Sequence, residues 1–502
     1  MSKAGALVRE LGTLDSTMIV VGSMIGSGIF ITSAESARLV GSPGWLLAAW
    51  ALAGLMTVSG SICAAEIAAM MPRAGGQYVF LREAFSPMFG FLFGWAMFLV
   101  VQTGTIAAVA VAFAKFLGVF FPRIAADNYI GSPFRLGSYA VSLSTQQLVA
   151  VALIVLLTAV NTRGLRLGKW IQNTFTFTKT AALFGLIVVG LVLGSNLDSA
   201  AWTSSWWSSP ANGWDSRTAF PGLPVEGGPA LLLLLGLAMI GPLFSQSAWN
   251  NVTFTGGEIR DPGRTLPRAM ILGTSTVVLL YLLANVAYIV TLKFSDIQHA
   301  PQDRVGTAVM QAILGKPGAQ VMAAAILIST FGCVNGLVLA GARIYYAMAR
   351  DGLFFRRVAT TNRRHVPAVA LLAQGLWAAL LVLPVSVSVE PATQLIKYGN
   401  LYNDLLEYVI PVDVTFYTLM VVAVIAFRWK APRMDRPYRT IGYPLPALIY
   451  IGLAVLLVLD FIYLKPATSG IGFLIVLAGI PVYLIWSRLA ASRPPLTEID
   501  AS

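Results

Sequence analysis

The chain has 502 residues, of which 57% are hydrophobic and 11% charged, with a mean hydropathy of +0.75. A soluble domain carries about 25% charged residues, so too few charges are present to cover a water-facing surface. The chain reads as an integral membrane protein, and a soluble enzyme, a nucleic-acid-binding protein and a disordered scaffold are excluded as overall descriptions. Cys63 and Cys333 lie in separate apolar runs and His299 and His365 in separate polar loops. No disulfide framework, metal site or cofactor is implied.

A spanning helix needs about 20 mostly apolar residues. Twelve segments qualify, near 15–40, 44–71, 87–120, 144–163, 170–194, 228–258, 268–293, 318–349, 366–386, 401–427, 442–464 and 469–487. The first is long and lacks a small-residue cleavage site, so it reads as a retained span. With the N-terminus inside, the inner segments carry 22 Lys and Arg residues and the outer segments nine. Basic loops stay cytoplasmic, so both termini are expected in the cytoplasm, and much of the net charge of +12 is a topology signal. Nucleic acid is not an implied partner; the lipid bilayer is. Residues 195–227, with Trp202, Trp206, Trp207 and Trp214, form an outer loop, more in keeping with an interfacial aromatic belt than with a recognition surface. Residues 294–317 are polar and predict short outer helices.

Span one is interrupted at Gly22-Ser23-Met24-Ile25-Gly26-Ser27-Gly28, and span six at Gly241-Pro242 through Ser245-Gln246-Ser247-Ala248-Trp249-Asn250. Unpaired backbone in hydrocarbon survives only where protein or a water-filled cavity lines it. Discontinuous helices five spans apart are the pattern that two inverted five-helix repeats give, and they point to a central transport site. Gly22 and Gly26 alone would also fit a small-residue packing face. Ser23, Ser27 and Gly28, together with the second break, favour an unwound binding segment.

The chemistry follows from helix ends. A half-helix starting near Ser27 and Gly28 points free N–H groups and a positive dipole end inward, which suits a carboxylate. Free carbonyls around Ser23, Met24, Phe244 and Ser247 suit an ammonium. An amino acid carries both groups. No acidic residue falls within the two broken segments, so a neutral side chain is favoured, with cationic amino acids or polyamines as the alternative. No pore-like ring of polar residues argues for a channel, and no constellation argues for an enzyme.

These motifs, with Gly41-Ser42-Pro43-Gly44, Ala65-Glu66, Gly75-Gly76-Gln77-Tyr78, the run from Trp249-Asn250 to Leu266-Pro267 and Phe331-Gly332-Cys333-Val334-Asn335-Gly336, resemble the amino acid–polyamine–organocation superfamily. The nearest branch is the L-type amino-acid transporters and their bacterial relatives, and the resemblance is strongest over residues 12–350. It implies an all-α membrane protein of twelve spans with a LeuT-like 5+5 inverted repeat and broken helices one and six. On that basis the expected division is an N-terminal segment 1–14, repeats 15–194 and 228–427 flanking the loop 195–227, spans eleven and twelve at 428–488, and a tail 489–502. It also implies amino-acid transport by alternating access at the plasma (inner) membrane, sodium-independent, as an exchanger, a facilitated permease or a proton-coupled one. An amino-acid-sensing receptor on the same fold is the other class of function.

The resemblance assigns roles. Lys179 in span five would stand in for sodium and brace spans one and eight; a lysine snorkelling to the interface is the bland alternative. Tyr281 would contact the unwound part of span one, Phe244 and Trp249 would act as gates, and Asn335 would belong to the coupling machinery; core packing is the alternative for the aromatics. Glu66 and Glu258 are expected in ion pairs, with Arg73 or nearby loops, and Arg343 with Asp351 in an inner network. Animal members carry a cysteine after span three that links a heavy chain. Residues 121–143 hold none, so no disulfide-linked heavy chain is expected, only a monomer or weak homo-oligomer.

Overall fold

A computed structural model describes residues 11–72, 75–163, 168–194, 205–223, 225–362, 366–389 and 396–491. Arg73, Trp202, His365, most of the N-terminal segment and most of the tail lie outside these residues.

Among the described residues, ten helices are long and apolar enough to cross a membrane: Pro43–Met70, Pro87–Leu117, Thr145–Thr162, Phe175–Leu193, Gly227–Glu258, Pro262–Thr291, Val305–Arg350, Leu401–Lys430, Leu445–Leu464 and Pro466–Arg488. Thr13–Met24 and Gly28–Val40 form an eleventh, bent by 43° at its break. The twelfth apolar helix is Ala368–Leu381, only 14 residues long. In chain order these are spans one to twelve, with the bent pair first and Ala368–Leu381 ninth. We call the side bearing residue 11 the N-terminal face and the other the distal face.

Span nine differs from its expected extent of 366–386. Its helix rises about 21 Å, short of the roughly 30 Å hydrocarbon core. It stops because Pro384 has a fixed φ and no N–H, and because Val385, Val387 and Val389 alternate with Ser386 and Ser388 as a strand does. That segment is β3 (Pro384–Val389) of a small sheet in the order β1-β2-β3-β4, with β1 at Phe134–Leu136, β2 at Tyr139–Val141 and β4 at Ile396–Tyr398. All neighbours are antiparallel, with Ala140 opposite Val385 and Ser388 opposite Lys397. The sheet links the loop after span three to the loop after span nine on the distal face, an addition the all-α reading did not contain.

The expected short helices before span eight are Phe294–Gln298 and the 3-10 turn Pro301–Asp303. The helix Val305–Arg350 is interrupted at the non-helical Gly315, so a further short outer helix precedes span eight, which runs on from there, close to its expected start. The core gathers around span one. Val20, Ile25, Ile29, Phe30 and Ile31 are fully or almost fully buried, so the first span sits at the centre of the bundle. Lipid-facing positions such as Phe177, Leu279, Val321 and Leu456 are exposed on the outer spans.

The N-terminal face is tied by ion pairs. Glu66 of span two pairs with Arg428 of span ten at 2.6 Å and with Arg436 at 3.4 Å, and accepts from the Thr440 amide at 2.7 Å. Of the two expected kinds of partner for Glu66, the neighbouring loop and span ten provide these. Asp351 accepts from the Tyr78 hydroxyl at 2.7 Å and pairs with Arg82, so it joins the segment Gln77–Ala84 and not Arg343. Arg343 lies 3.8 Å from Glu258 instead.

Candidate functional site

Three residues, Ile25, Gly26 and Ser27, separate the halves of span one. Ile25 is extended (φ −74°, ψ 95°), which diverts the chain, and the second half restarts from Ser27. After Val21 the carbonyls ending the first half run out of helical partners, and their fate can be followed one by one. That of Val21 accepts from the Ile25 amide at 2.9 Å. That of Gly22 accepts from the Lys179 ammonium. That of Met24 accepts from the Tyr281 hydroxyl at 3.0 Å. Only Ser23 has no such partner among the described residues, and its side chain is half-buried while its neighbours are buried. Met24 was expected to offer a free carbonyl; Tyr281 occupies it, because a buried helix end needs donors and the phenol supplies one.

Lys179 is 1% exposed. Its charge sits against the carbonyl end of a half-helix, where the backbone dipole favours a cation. It therefore does not snorkel. It reaches from span five into the break, as Tyr281 reaches from span seven.

The second half of span one begins at Gly28. A Cβ at Gly28 would lie 2.1 Å from Ser245 Oγ, so span six packs directly on this glycine. Gly26 is different. A Cβ there would meet Cys333 Sγ of span eight at 3.3 Å, a tight contact with one side chain, and nothing else within 4 Å. Asn335, one half-turn on, faces elsewhere: its Oδ1 accepts from Asn161 of span four at 2.8 Å. The structure therefore brings Ser23, Met24, Gly26, Ser27, Gly28, Lys179 and Tyr281 together and leaves Asn335 outside, with Cys333 as the span-eight residue at the break.

Span six runs as Gly227–Ala238 and Ile240–Ser245, then breaks at Gln246–Ala248 and continues as the 3-10 helix Trp249–Glu258. Ala248 is left-handed (φ 65°, ψ 10°), a conformation that costs a non-glycine residue about 1–2 kcal/mol. Tyr417 of span ten helps to hold it: its hydroxyl accepts from the Ala248 amide and donates to Asn250 Oδ1, both at 3.1 Å. Asn250 in turn donates to Gln77 at 2.7 Å. The Phe244 carbonyl accepts from the Ser247 amide and hydroxyl, at 3.2 and 2.9 Å, so it too is engaged where a free group was expected. Ser247 and Ala248 are half-buried.

The two candidate gates part company. Phe244 packs edge-on against Tyr402 of span ten at 6.0 Å, and the Tyr402 hydroxyl lies 3.1 Å from Ser27 Oγ. One turn from Phe244 toward the distal face, Gly241 lines a cavity of about 230 Å³ with Thr32, Glu35, Asn403, Glu407 and Lys465. Trp249 stacks on Tyr417 at 4.9 Å and is 1% exposed. It packs as a core residue between spans two and ten. Tyr402 was missed because it lies outside both broken segments. Gln77 and Asn250 stood in recognisable motifs but had no assigned role, since only the fold brings them together.

The arrangement offers unpaired amides at the start of a half-helix, a free carbonyl at Ser23, a lysine held at one end and an aromatic pair at the other. It contains no nucleophile-and-base pair and, among the described residues, no cluster of metal ligands.

A family model described as amino acid permease matches residues 11–487. The chain belongs to the amino acid permease family. As a permease it is a multi-pass membrane transporter of amino acids and not an enzyme. It is 30% identical to the large neutral amino acids transporter small subunit 2 of Oryctolagus cuniculus, over 96% of this chain and 81% of that one. It is 26% identical to the b(0,+)-type amino acid transporter 1 of Homo sapiens, over 96% and 89%. It is also 27% identical to the Asc-type amino acid transporter 1 of Mus musculus, over 96% and 82%.

Proposed function

We propose that this permease carries neutral L-amino acids across the plasma membrane by alternating access, without sodium. The observation that carries the reading is the chemistry of the span-one break. The substrate carboxylate takes the amides leading into Gly28–Val40, where the dipole end is positive. Its ammonium takes the Ser23 carbonyl, the one free end of the first half, with Ser247 across the break. The side chain is then judged by the residues around the break, among them Cys333 of span eight, which lies against Gly26. Phe244 with Tyr402 closes the distal side. The relatives named for large neutral, b(0,+)-type and Asc-type transport support a neutral substrate.

Lys179 takes the place of a sodium ion: a fixed cation against the Gly22 carbonyl does by covalent attachment what a bound ion would do. The basic segments 350–364 and 428–439 favour a cytoplasmic N-terminal face, with both termini on that side. With no cysteine in residues 121–143, the protein works without a disulfide-linked heavy chain, as a monomer or weak homo-oligomer.

Counterflow of labelled amino acids in proteoliposomes tests the reading. A panel of neutral L-amino acids should exchange, and replacing sodium with choline on both sides should leave the rate unchanged. Binding without counterflow would mark a sensing receptor, and a strict sodium requirement would remove the role given to Lys179.

A further inference from the structure

Asp413 lies in mid-course of span ten, is 8% exposed, and has no hydrogen-bond or ion-pair partner among the described residues. It lines a narrow recess of about 20 Å³ behind the span-six break. Gln246 and Ser247 of the break, Thr57 of span two and Tyr450 of span eleven line the same recess, with Trp249 and Tyr417. Gln246 Oε1 is buried and also has no donor. The carboxylate thus lines one small space that supplies no cation. No Lys, Arg or His lines it, and the titratable neighbours are the phenols Tyr417 on its own helix and Tyr450 opposite.

The size decides among ligands. A cavity of roughly 10–15 Å³ admits a single water and no more, so a substrate side chain does not fit. An unpaired carboxylate inside a span is strongly disfavoured and marks ion or proton pathways. The missing group is a proton. On the carboxyl it removes the charge and supplies a donor to the recess, directly or through one water. Asp413 also sits one turn before Tyr417, on the same helix face, and Tyr417 receives the amide of left-handed Ala248.

We propose that Asp413 is a proton-binding site coupled to the break in span six, so that substrate moves with a proton carried on span ten. The proposal rests on the transport reading and adds the coupling ion. The proton enters the Asp413 carboxyl from the side to which the site is open and leaves to the other side after the break rearranges. The neutral acid packs in the narrow recess; the carboxylate requires more water, and so favours a conformation in which the recess widens.

Proteoliposomes decide it, using the panel amino acid with the fastest counterflow. At symmetric pH, wild type and Asp413→Asn should both exchange, within about twofold, since asparagine mimics the neutral acid. With an inside-alkaline gradient, wild type should accumulate substrate several-fold above equilibrium and Asp413→Asn should not. Wild-type counterflow with no response to the gradient overturns the proposal, as does an Asp413→Asn protein that still accumulates. Absence of counterflow in wild type would instead sink the transport reading itself. If Asp413→Asn does not fold, Asp413→Glu decides: the longer acid should move the midpoint of the pH profile of uptake, and an unmoved midpoint overturns the proposal.

Discussion

At the scale of single residues, the site depends on backbone groups, and these cannot be mutated directly. Their neighbours can. A Cβ at Gly26 would press on Cys333 Sγ at 3.3 Å and on nothing else within 4 Å, so Gly26→Val crowds the break proposed for substrate by displacing one side chain without striking backbone. Substrate-induced thermal stabilisation should vanish in Gly26→Val, while its apparent melting temperature without substrate stays close to wild type. Amino-acid amides and N-acetyl amino acids should compete at least tenfold more weakly than free acids, because each removes one of the two charges the break recognises. Equal competition would place the ligand in another orientation.

Lys179 and Tyr281 hold adjacent parts of one segment, at the Gly22 and Met24 carbonyls. Neither is assigned a substrate atom. Lys179→Ala and Tyr281→Phe should therefore slow exchange more than they weaken affinity. Residues acting on one element are non-additive, so the double mutant should lose less rate than the two single effects combined. Exchange rates and thermal-shift affinities for the four proteins check this. Normal turnover with much weaker binding in Lys179→Ala would move the lysine into the substrate pocket.

At the scale of elements, the two breaks are held by different means. Span one relies on donors from spans five, seven and ten; span six relies on a backbone conformation. Ala248 has a positive φ of 65°, where glycine rests without penalty and a β-branched residue does not. Ala248→Gly should melt at or slightly above the wild-type temperature, and Ala248→Val should melt lower and exchange slowly. The same order for both variants in a thermal-unfolding series would argue that span six is set by packing alone. On the N-terminal face, Glu66 is buried and ties span two to span ten through Arg428. Breaking a buried pair from one side costs about 3–5 kcal/mol. Arg428→Met should cost less than that, because Arg436 and Thr440 stay on Glu66. A clear drop in melting temperature is the expected result, larger than for the exposed pair partner Arg217→Met.

At the scale of the whole molecule, composition and residue spacing in the sequence decided membrane character, most spans and the positions of both breaks. They could do so because hydrocarbon imposes a strong, local rule: about 20 apolar residues make a span, and polar or glycine-rich interruptions need a special reason. The interior placement of Lys179 was legible for the same reason, since a lone charge in a span must find a polar partner. What sequence could not decide was which groups meet. Met24 and Phe244 have engaged carbonyls because Tyr281 and Ser247 happen to reach them. Asn335 turns to span four, Trp249 is buried on Tyr417, and Tyr402 arrives at Ser27 from 375 residues away. Span nine ends early because Pro384–Val389 pairs with Tyr139–Val141 and Ile396–Tyr398 in a sheet. Hydrophobic pattern fixes which face of a helix avoids water, but not which of several apolar neighbours covers it. Those choices depend on packing and on long-range donors, and only the folded chain makes them.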